Sequence, residues 1–163
     1  MVITASDIKA NTTLTVQQLV NQVNILKDEL KVPTLYFCAR ITSSPTDLTS
    51  DQDVVFPRVE VNEGRGYDPS TGKFTASIPG MYLFSVQYCV NKVKNVHLEI
   101  VLKGKILQRS TFFDKHGLNP CVTMQVSSSV AMGDQVWVRS TGSSSLYADE
   151  DEYTSFSGTL IHA

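Results

Sequence analysis

Beyond Pro33, apolar residues recur at every second position, and this alternation constrains the fold more than any other feature of the sequence. It is clearest at residues 96–102, where one face of a strand would carry Val96, Leu98, Ile100 and Leu102. Turn-forming residues at 62–66 and 68–72 separate the alternating stretches. The pattern predicts about ten short strands with no helices between them, which is typical of an all-β sandwich or barrel.

The predicted strands cover most of the chain after Pro33. They span residues 34–40, 54–61, 73–77, 80–90, 96–102, 106–112, 121–130, 135–140 and 154–162. The strand at 80–90 is apolar on both faces, with Tyr82, Phe84, Val86 and Tyr88 on one and Met81 and Leu83 on the other. Two apolar faces predict that one is covered by the sandwich core and the other by a neighbouring subunit.

The first 32 residues follow a different period. Their apolar residues form a heptad stripe, with Val16, Val23 and Leu30 at position a and Leu19 and Leu26 at position d. This stripe predicts a helix over about residues 14–32, with capping-box spacing at Thr15 and Gln18 and an end before Pro33. Two heptads are too short to be stable alone, so the stripe favours a tethered, self-associating coiled coil. A helix packed on its own domain is the alternative.

The sequence therefore predicts two parts, an N-terminal segment at residues 1–32 and a β domain at residues 33–163. Net charge is −2 and the pI is about 5.9, so the chain lacks the basic footprint of a nucleic-acid binder. No apolar run approaches the roughly 20 residues that span a bilayer. No secretory signal is visible, so the chain would be either cytosolic or a mature fragment with an added Met.

Three cysteines, Cys38, Cys89 and Cys121, leave the redox state open. An odd count allows three different single pairings, each with one free thiol, or a fully reduced chain. No Cys-x-x-Cys pair is present, so the spacings do not fit a zinc site. The two main alternatives are buried thiols that pack as small apolar residues and one intramolecular disulfide.

A series of aromatic residues and glycines carries a specific resemblance. Five, four, six, five, one and one residues separate the members of the series Phe56, Asn62, Tyr67, Phe74, Gly80, Tyr82 and Phe84. These spacings resemble the signature of the complement C1q globular-head family, with Val86 at a position where that family has Phe or Tyr. Further similar segments lie at residues 36–40, 133–138, 146–149 and 155–161, and they include Trp137, Phe156 and Gly158.

The resemblance covers roughly residue 33 to the C-terminus. It implies a secreted homotrimer whose subunits are ten-stranded jelly rolls, similar to tumour necrosis factor. Most family members have a collagen stalk, whereas this chain has no Gly-X-Y repeat, so the heptad segment would be the trimerising stalk. The large aromatic residues of the motif, Trp137 and Phe156 included, would supply the core.

The sequence contains none of the common catalytic motifs. A nucleophile elbow, a zincin helix, a phosphate loop and a dinucleotide fingerprint are all missing, and the three histidines are scattered. We therefore predict a protein that is not an enzyme. A solvated loop is the main interpretation of the acidic run at 149–152, and Ca²⁺ binding is the alternative.

Some members of the complement C1q globular-head family, which this chain resembles, bind Ca²⁺ near the trimer axis. Their ligands lie in the loop that corresponds to residues 114–120. Only Asp114 provides a matching acidic residue in that loop, which makes it a weak candidate metal ligand. Asn11 begins an N-glycosylation sequon in the segment that we expect to precede the helix.

The leading hypothesis is a lectin-like protein of innate immunity that binds glycans, lipopolysaccharide or other anionic microbial surfaces by avidity. Its sites would lie in loops at 42–53, 92–95, 114–120 and 143–152, because the strands are committed to packing. The candidate ligand-binding residues are Lys92, Lys94, Lys115, Tyr147, Asp149 and Asp151. The alternatives are an extracellular structural or metal-binding fluid protein and a ligand for a cell-surface receptor, as in the tumour-necrosis-factor relatives.

Overall fold

The computed structural model describes residues 4–29, 35–151 and 153–163, and the chain divides into two compact units at residues 1–32 and 33–163. The first unit is a single helix, α1 (Ala5–Glu29). The second unit is an all-β sandwich of two sheets, which confirms the predicted fold class. No helix among the described residues combines the length and the apolar character needed to cross a membrane.

Helix α1 begins earlier than the sequence pattern predicted. Thr15 lies inside it, and its hydroxyl donates to the Asn11 carbonyl at 2.9 Å instead of capping an N-terminus. The capping-box prediction is therefore wrong, because a mid-helix threonine satisfies its hydroxyl on the carbonyl four residues earlier. Asn11 likewise lies within the helix, at an exposed position, and not before it.

The predicted heptad stripe is uncovered in a single chain. Exposure is between 48% and 56% for four of its members, namely Val16, Leu19, Val23 and Leu26. Leu30 and Pro33, which would complete the stripe and end the helix, lie outside the described residues.

Twelve strands form the described part of the β unit. They are β1 (Tyr36–Arg40), β2 (Thr46–Leu48), β3 (Arg58–Glu63), β4 (Tyr67–Asp68), β5 (Lys73–Thr75), β6 (Gly80–Val90), β7 (Asn95–Leu102), β8 (Lys105–Phe113), β9 (Cys121–Val130), β10 (Gln135–Ser140), β11 (Ser144–Tyr147) and β12 (Ser155–His162). Strands β2, β4 and β11 fall in segments that we predicted as loops or turns. With two to four residues each, they are too short to show an alternating pattern.

Every strand pairing is antiparallel. One sheet has the order β2-β11-β6-β12-β1-β3, with β9 on the other edge of β6, and the second has the order β4-β5-β10-β7-β8. The prediction of one strand over residues 54–61 is wrong at its start, because β3 begins only at Arg58. The residues before β3 lie beside one sheet, and β3 itself belongs to the other. Asp53 bridges to Arg139 in the second sheet and Val54 donates to the Val138 carbonyl, whereas β3 pairs with β1 in the first.

Aromatic side chains between the sheets form the centre of the core. Phe37 stacks on Tyr67 and Phe74, with ring centroids 4.9 and 5.0 Å apart, and meets Phe156 edge-on. Gly158 permits this packing, because a Cβ built there would lie 2.5 Å from the Phe37 ring. The motif residues buried here are Phe56, Tyr67, Phe74, Tyr82, Phe84 and Phe156.

Asn62, the polar residue of the motif, makes two hydrogen bonds to the main chain of Tyr67. Its side chain donates to the Tyr67 carbonyl at 2.8 Å and accepts from the Tyr67 N–H at 3.1 Å. The Tyr67 hydroxyl in turn donates to the Phe56 carbonyl at 3.1 Å. Burial raises the pKa of Tyr67 to about 12, so the hydroxyl remains a donor at neutral pH.

Trp137 does not lie in the core, which corrects the sequence interpretation. Its neighbours Val136 and Val138 are fully buried between the sheets, so strand alternation places Trp137 on the outward face of the five-stranded sheet. There its ring is half-buried under the Lys73 ammonium, which is 4.4 Å from the ring centroid.

A disulfide joins Cys89 to Cys121, which face each other across strands β6 and β9. Cys38 is a free, half-buried thiol on β1. The structure thus selects one of the three pairings that the sequence left open, because only this pair lies directly opposite in the sheet.

We expect the double variant Cys89→Ser/Cys121→Ser to lose about 3 to 4 kcal/mol of unfolding free energy, because the bridge closes a loop in the unfolded chain. The closed loop corresponds to a sequence separation of 32. Urea denaturation at matched protein concentration measures the loss. The control is Cys38→Ser, which removes no bridge, and equal denaturation midpoints for the double variant and the control would contradict the prediction.

Candidate recognition surface

The strand registers bring the four predicted loops to one end of the sandwich. Strand β6 begins beside the C-terminus, where Met81 pairs with His162, and it ends beside the Cys89–Cys121 bridge. The segments that follow β1, β6, β8 and β10 all leave their sheets at this second end. We call the described loop residues 42–53, 92–95, 114–120 and 143–151 the loop surface; Glu152, at the end of the acidic run, lies outside the described residues.

Hydrogen bonds join these loops to one another. Asn91 donates from its main chain to the Ser145 carbonyl at 3.0 Å and from its side chain to the Ser145 hydroxyl at 3.1 Å. The Ser145 hydroxyl donates to the Asp47 carboxylate. Val90 donates to the Pro120 carbonyl at 3.0 Å. The loop surface is therefore held together by bonds between segments that are far apart in sequence.

Asp114 is the acceptor that holds two of the loops. Its buried carboxylate accepts main-chain N–H groups at 2.9 to 3.3 Å, from His116, Gly117, Asn119 and Val93. Its own N–H donates to the Lys94 carbonyl at 3.0 Å. Asp114 thus ties residues 93–94 to residues 114–119.

This geometry gives Asp114 a structural role, and the weak metal-ligand role that the sequence suggested for it stays a prediction. A cation would have to compete with four N–H donors for the two carboxylate oxygens. Among the residues with described positions, no group of three or more His, Cys, Asp or Glu side chains is arranged to hold a metal ion.

The hydrogen bonds also determine how Asp114 titrates. Desolvation favours the neutral acid, but the main-chain donors outweigh it and hold the pKa of Asp114 below its ordinary value. A carboxylate with a lowered folded-state pKa stabilises the fold above its unfolded pKa of about 3.9, and this stabilisation is lost as the pH falls through the folded value.

We expect Asp114→Asn to lower the unfolding free energy at pH 7, because an amide cannot accept four N–H bonds. The difference between wild type and variant should begin to shrink as the pH falls below about 3.9, where the unfolded carboxyl is protonated, and should go on shrinking as the pH falls through the lowered folded-state pKa. Chemical denaturation from pH 7 to pH 2.5 measures it. The exposed Asp51→Asn is the control, and a pH-independent deficit for Asp114→Asn would contradict the prediction.

Val93 stands at the tip of the turn between Lys92 and Lys94 with φ of +53°. The left-handed region is unfavourable for a residue with a Cβ, by about 1 to 2 kcal/mol, and a β-branched side chain is among the least tolerant. The Asp114 carboxylate accepts the Val93 N–H at 3.3 Å, and Lys94 donates to the Asn91 carbonyl at 3.0 Å. These bonds maintain a strained turn that presents two lysines.

We expect Val93→Gly to raise the unfolding free energy by about 1 kcal/mol, because glycine adopts positive φ without a Cβ clash. The side chain of Val93 is 58% exposed, so little packing is lost. Thermal and urea denaturation measure the change. Val93→Ala keeps the Cβ and should gain less, and a destabilised glycine variant would refute the argument.

The loop surface contains all six ligand-binding candidates, three of which are exposed lysines, namely Lys92, Lys94 and Lys115. Tyr147 is half-buried, and its hydroxyl donates to Asp149 at 2.7 Å. Asp149 also accepts the Asp151 N–H at 2.9 Å, so these three residues form one hydrogen-bonded group.

A cavity of about 380 Å³, which no sequence pattern predicted, lies beside this group. Arg40, Arg58 and Tyr153 line it together with residues 148–150. The Arg40 guanidinium lies 4.0 Å from the centroid of the Tyr153 ring, and Arg58 pairs with Glu60 at 2.8 Å. No pattern in the sequence connects Arg40, Arg58 and Tyr153, because they are 18 or more positions apart and meet only through the β1–β3 and β1–β12 pairings.

Comparisons with known proteins agree with this architecture. A protein-family model described as the C1q domain matches residues 36–161. Complement C1q and tumor necrosis factor-related protein 9A of Homo sapiens is 31% identical over 140 residues, which cover 82% of this chain and 40% of the relative. Complement C1q tumor necrosis factor-related protein 5 of Homo sapiens is 32% identical over 136 residues, which cover 80% of this chain and 55% of the relative. The chain thus spans about half, or less, of these relatives.

Solved structures share the fold at lower identity. The globular domain of zebrafish complement 1qA protein has a TM-score of 0.64 and 19% identity, and the match covers 78% of this chain and 97% of that one. Murine APRIL has a TM-score of 0.63 and 12% identity, with coverages of 78% and 99%.

Proposed function

This chain belongs to the C1q domain family, and from that premise we propose that it is a secreted, trimeric, non-enzymatic recognition protein. Its ligands are repeated glycans, lipopolysaccharide or other anionic groups of the kind displayed on microbial surfaces. Each subunit contributes one weak site on the loop surface, and three sites on one rigid assembly bind a repetitive surface by avidity.

The convergence of the four loops is the observation that carries this proposal. Lys92, Lys94 and Lys115 lie on neighbouring loops that Asp114 ties together, so their charges are held in one region of the surface. Ammonium groups in such a region attract phosphate and carboxylate groups and speed their association.

Uncovered apolar surface supports the trimer. Three large apolar residues of strand β8 are exposed in a single chain. The exposed fractions are 44% for Ile106, 38% for Phe112 and 44% for Phe113. The half-exposed heptad stripe of α1 provides a second such surface. Exposed apolar patches of this kind are typical of surfaces that associate, so subunit contacts would cover both.

Light scattering tests the assembly. We expect a mass of three times the 18.0 kDa of one chain at micromolar concentration. A mass of one chain under these conditions would remove the basis for avidity and with it the proposed mode of recognition.

Immobilised lipopolysaccharide and anionic glycans, with and without chelator, test the ligand class. The triple variant Lys92→Gln/Lys94→Gln/Lys115→Gln should weaken binding by at least about tenfold, because it removes the clustered charge. The matched control is Lys9→Gln/Lys103→Gln/Lys105→Gln, which removes the same charge at exposed positions outside the loop surface. Equal loss in the two triple variants, or no binding by the wild type, would disprove the assignment.

A further inference from the structure

The outward face of the five-stranded sheet contains a buried carboxylate between two arginines. Glu99 on β7 is only 1% exposed, and its cross-strand neighbours are Arg139 on β10 and Arg109 on β8. Because Leu98 and Ile100 point into the core, strand alternation places Glu99 on the opposite face. The carboxylate is therefore covered by side chains of its own sheet and not by the second sheet.

Each oxygen of Glu99 is bound by one guanidinium. Arg109 donates from Nε and Nη2 to Oε2, both at 2.8 Å. Arg139 donates from Nε and Nη2 to Oε1, the first at 2.8 Å. A single guanidinium would neutralise Glu99, so this group of three carries one net positive charge. The N–H groups that Glu99 does not use point away from it.

Arg109 is the exposed member of the group. Its side chain is 58% exposed, whereas that of Arg139 is 25% exposed. Glu99 fixes the plane of the Arg109 guanidinium, so the remaining donors are oriented before any ligand arrives. Planar N–H donors of this kind match the oxygens of sulfate and carboxylate groups.

An aromatic ring lies on the same face. Trp137 is two residues before Arg139 on β10, so the two side chains share a side of the strand. Lys73 lies 4.4 Å from the indole centroid and pairs with Asp53 at 3.2 Å. The indole N–H is buried and has no hydrogen-bond partner. We call Lys73, Glu99, Arg109, Trp137 and Arg139 the outer-face cluster.

We propose that the outer-face cluster is a second ligand site, specific for oligosaccharides that carry sulfate or carboxylate groups. The guanidinium of Arg109 binds the oxyanion, and the part of the Trp137 indole that Lys73 does not cover contacts the sugar ring. The site lies on the five-stranded sheet and uses none of the loop lysines, so it does not depend on the function proposed for the loops. It would allow one anionic chain to run along the side of the β unit.

The only tryptophan of the chain reports directly on this site, because Trp137 is part of it. Intrinsic fluorescence of the full chain is followed during titration with sulfated dextran oligosaccharide, polygalacturonate oligosaccharide, neutral dextran oligosaccharide and inorganic sulfate. We expect a saturable change with at least one of the two anionic oligosaccharides, which also identifies the preferred oxyanion. Neutral dextran should give no change, and inorganic sulfate should bind more weakly because it has no sugar ring.

Two arginine variants separate the site from general charge attraction. Arg109→Gln leaves Glu99 paired with Arg139 and should weaken binding about tenfold. Arg65→Gln is the matched control, since Arg65 is exposed in the turn between β3 and β4, outside both the loop surface and the outer-face cluster, and it should change affinity less than twofold. Arg109→Lys keeps the charge but loses the planar donors, so it should also weaken binding, and it serves if Arg109→Gln does not fold.

Three results would overturn the proposal. The first is the absence of a saturable change with either anionic oligosaccharide. The second is equal weakening by Arg109→Gln and Arg65→Gln, which would indicate diffuse attraction. The third is a fluorescence response that is abolished by the triple lysine variant of the loop surface and unaffected by Arg109→Gln, which would place anions on the loops alone. Failure of the loop-surface proposal leaves the first two comparisons unaffected.

Discussion

The close packing of aromatic rings between the two sheets is the interaction on which the rest of this structure depends. Phe37 contacts Tyr67, Phe74 and Phe156, which lie on β4, β5 and β12, so one cluster connects both sheets. Burial of these rings sets the distance between the sheets. The strands that they anchor also set the positions of the loops at the far end, so the arrangement of the loop surface depends on the core.

Two buried carboxylates show how different partners lead to different roles. Asp114 is satisfied by four main-chain N–H groups, and its charge organises two loops. Glu99 is satisfied by two guanidinium groups, so the charge of the group exceeds what the carboxylate requires. Main-chain N–H donors satisfy the hydrogen-bonding capacity of a carboxylate without adding charge. A second guanidinium instead leaves one net positive charge and unused N–H groups at the surface.

Sequence patterns predicted the regular parts of the fold and missed its exceptions. Alternation located the long strands, and the spacing from Phe56 to Phe84 identified the family because those residues pack together. The same reasoning placed Trp137 in the core, because it considered the size of the residue and not its position between Val136 and Val138. It also gave Thr15 a capping role, because the heptad stripe does not continue through residues 5–14, where Lys9 and Thr12 occupy its positions.

Features that depend on local order can be predicted from the amino-acid sequence: the strand period, the heptad stripe, the turn positions and the spacing of the core aromatic residues. Contacts between distant residues depend instead on how the strands pair. The pairing of β6 with β9 joins Cys89 to Cys121, and the registers of β7 with β8 and β10 bring Arg109 and Arg139 to Glu99. Such contacts follow from strand register. Register is set by burial of the whole sheet, so the residue type at a single position does not reveal which residue will lie opposite it.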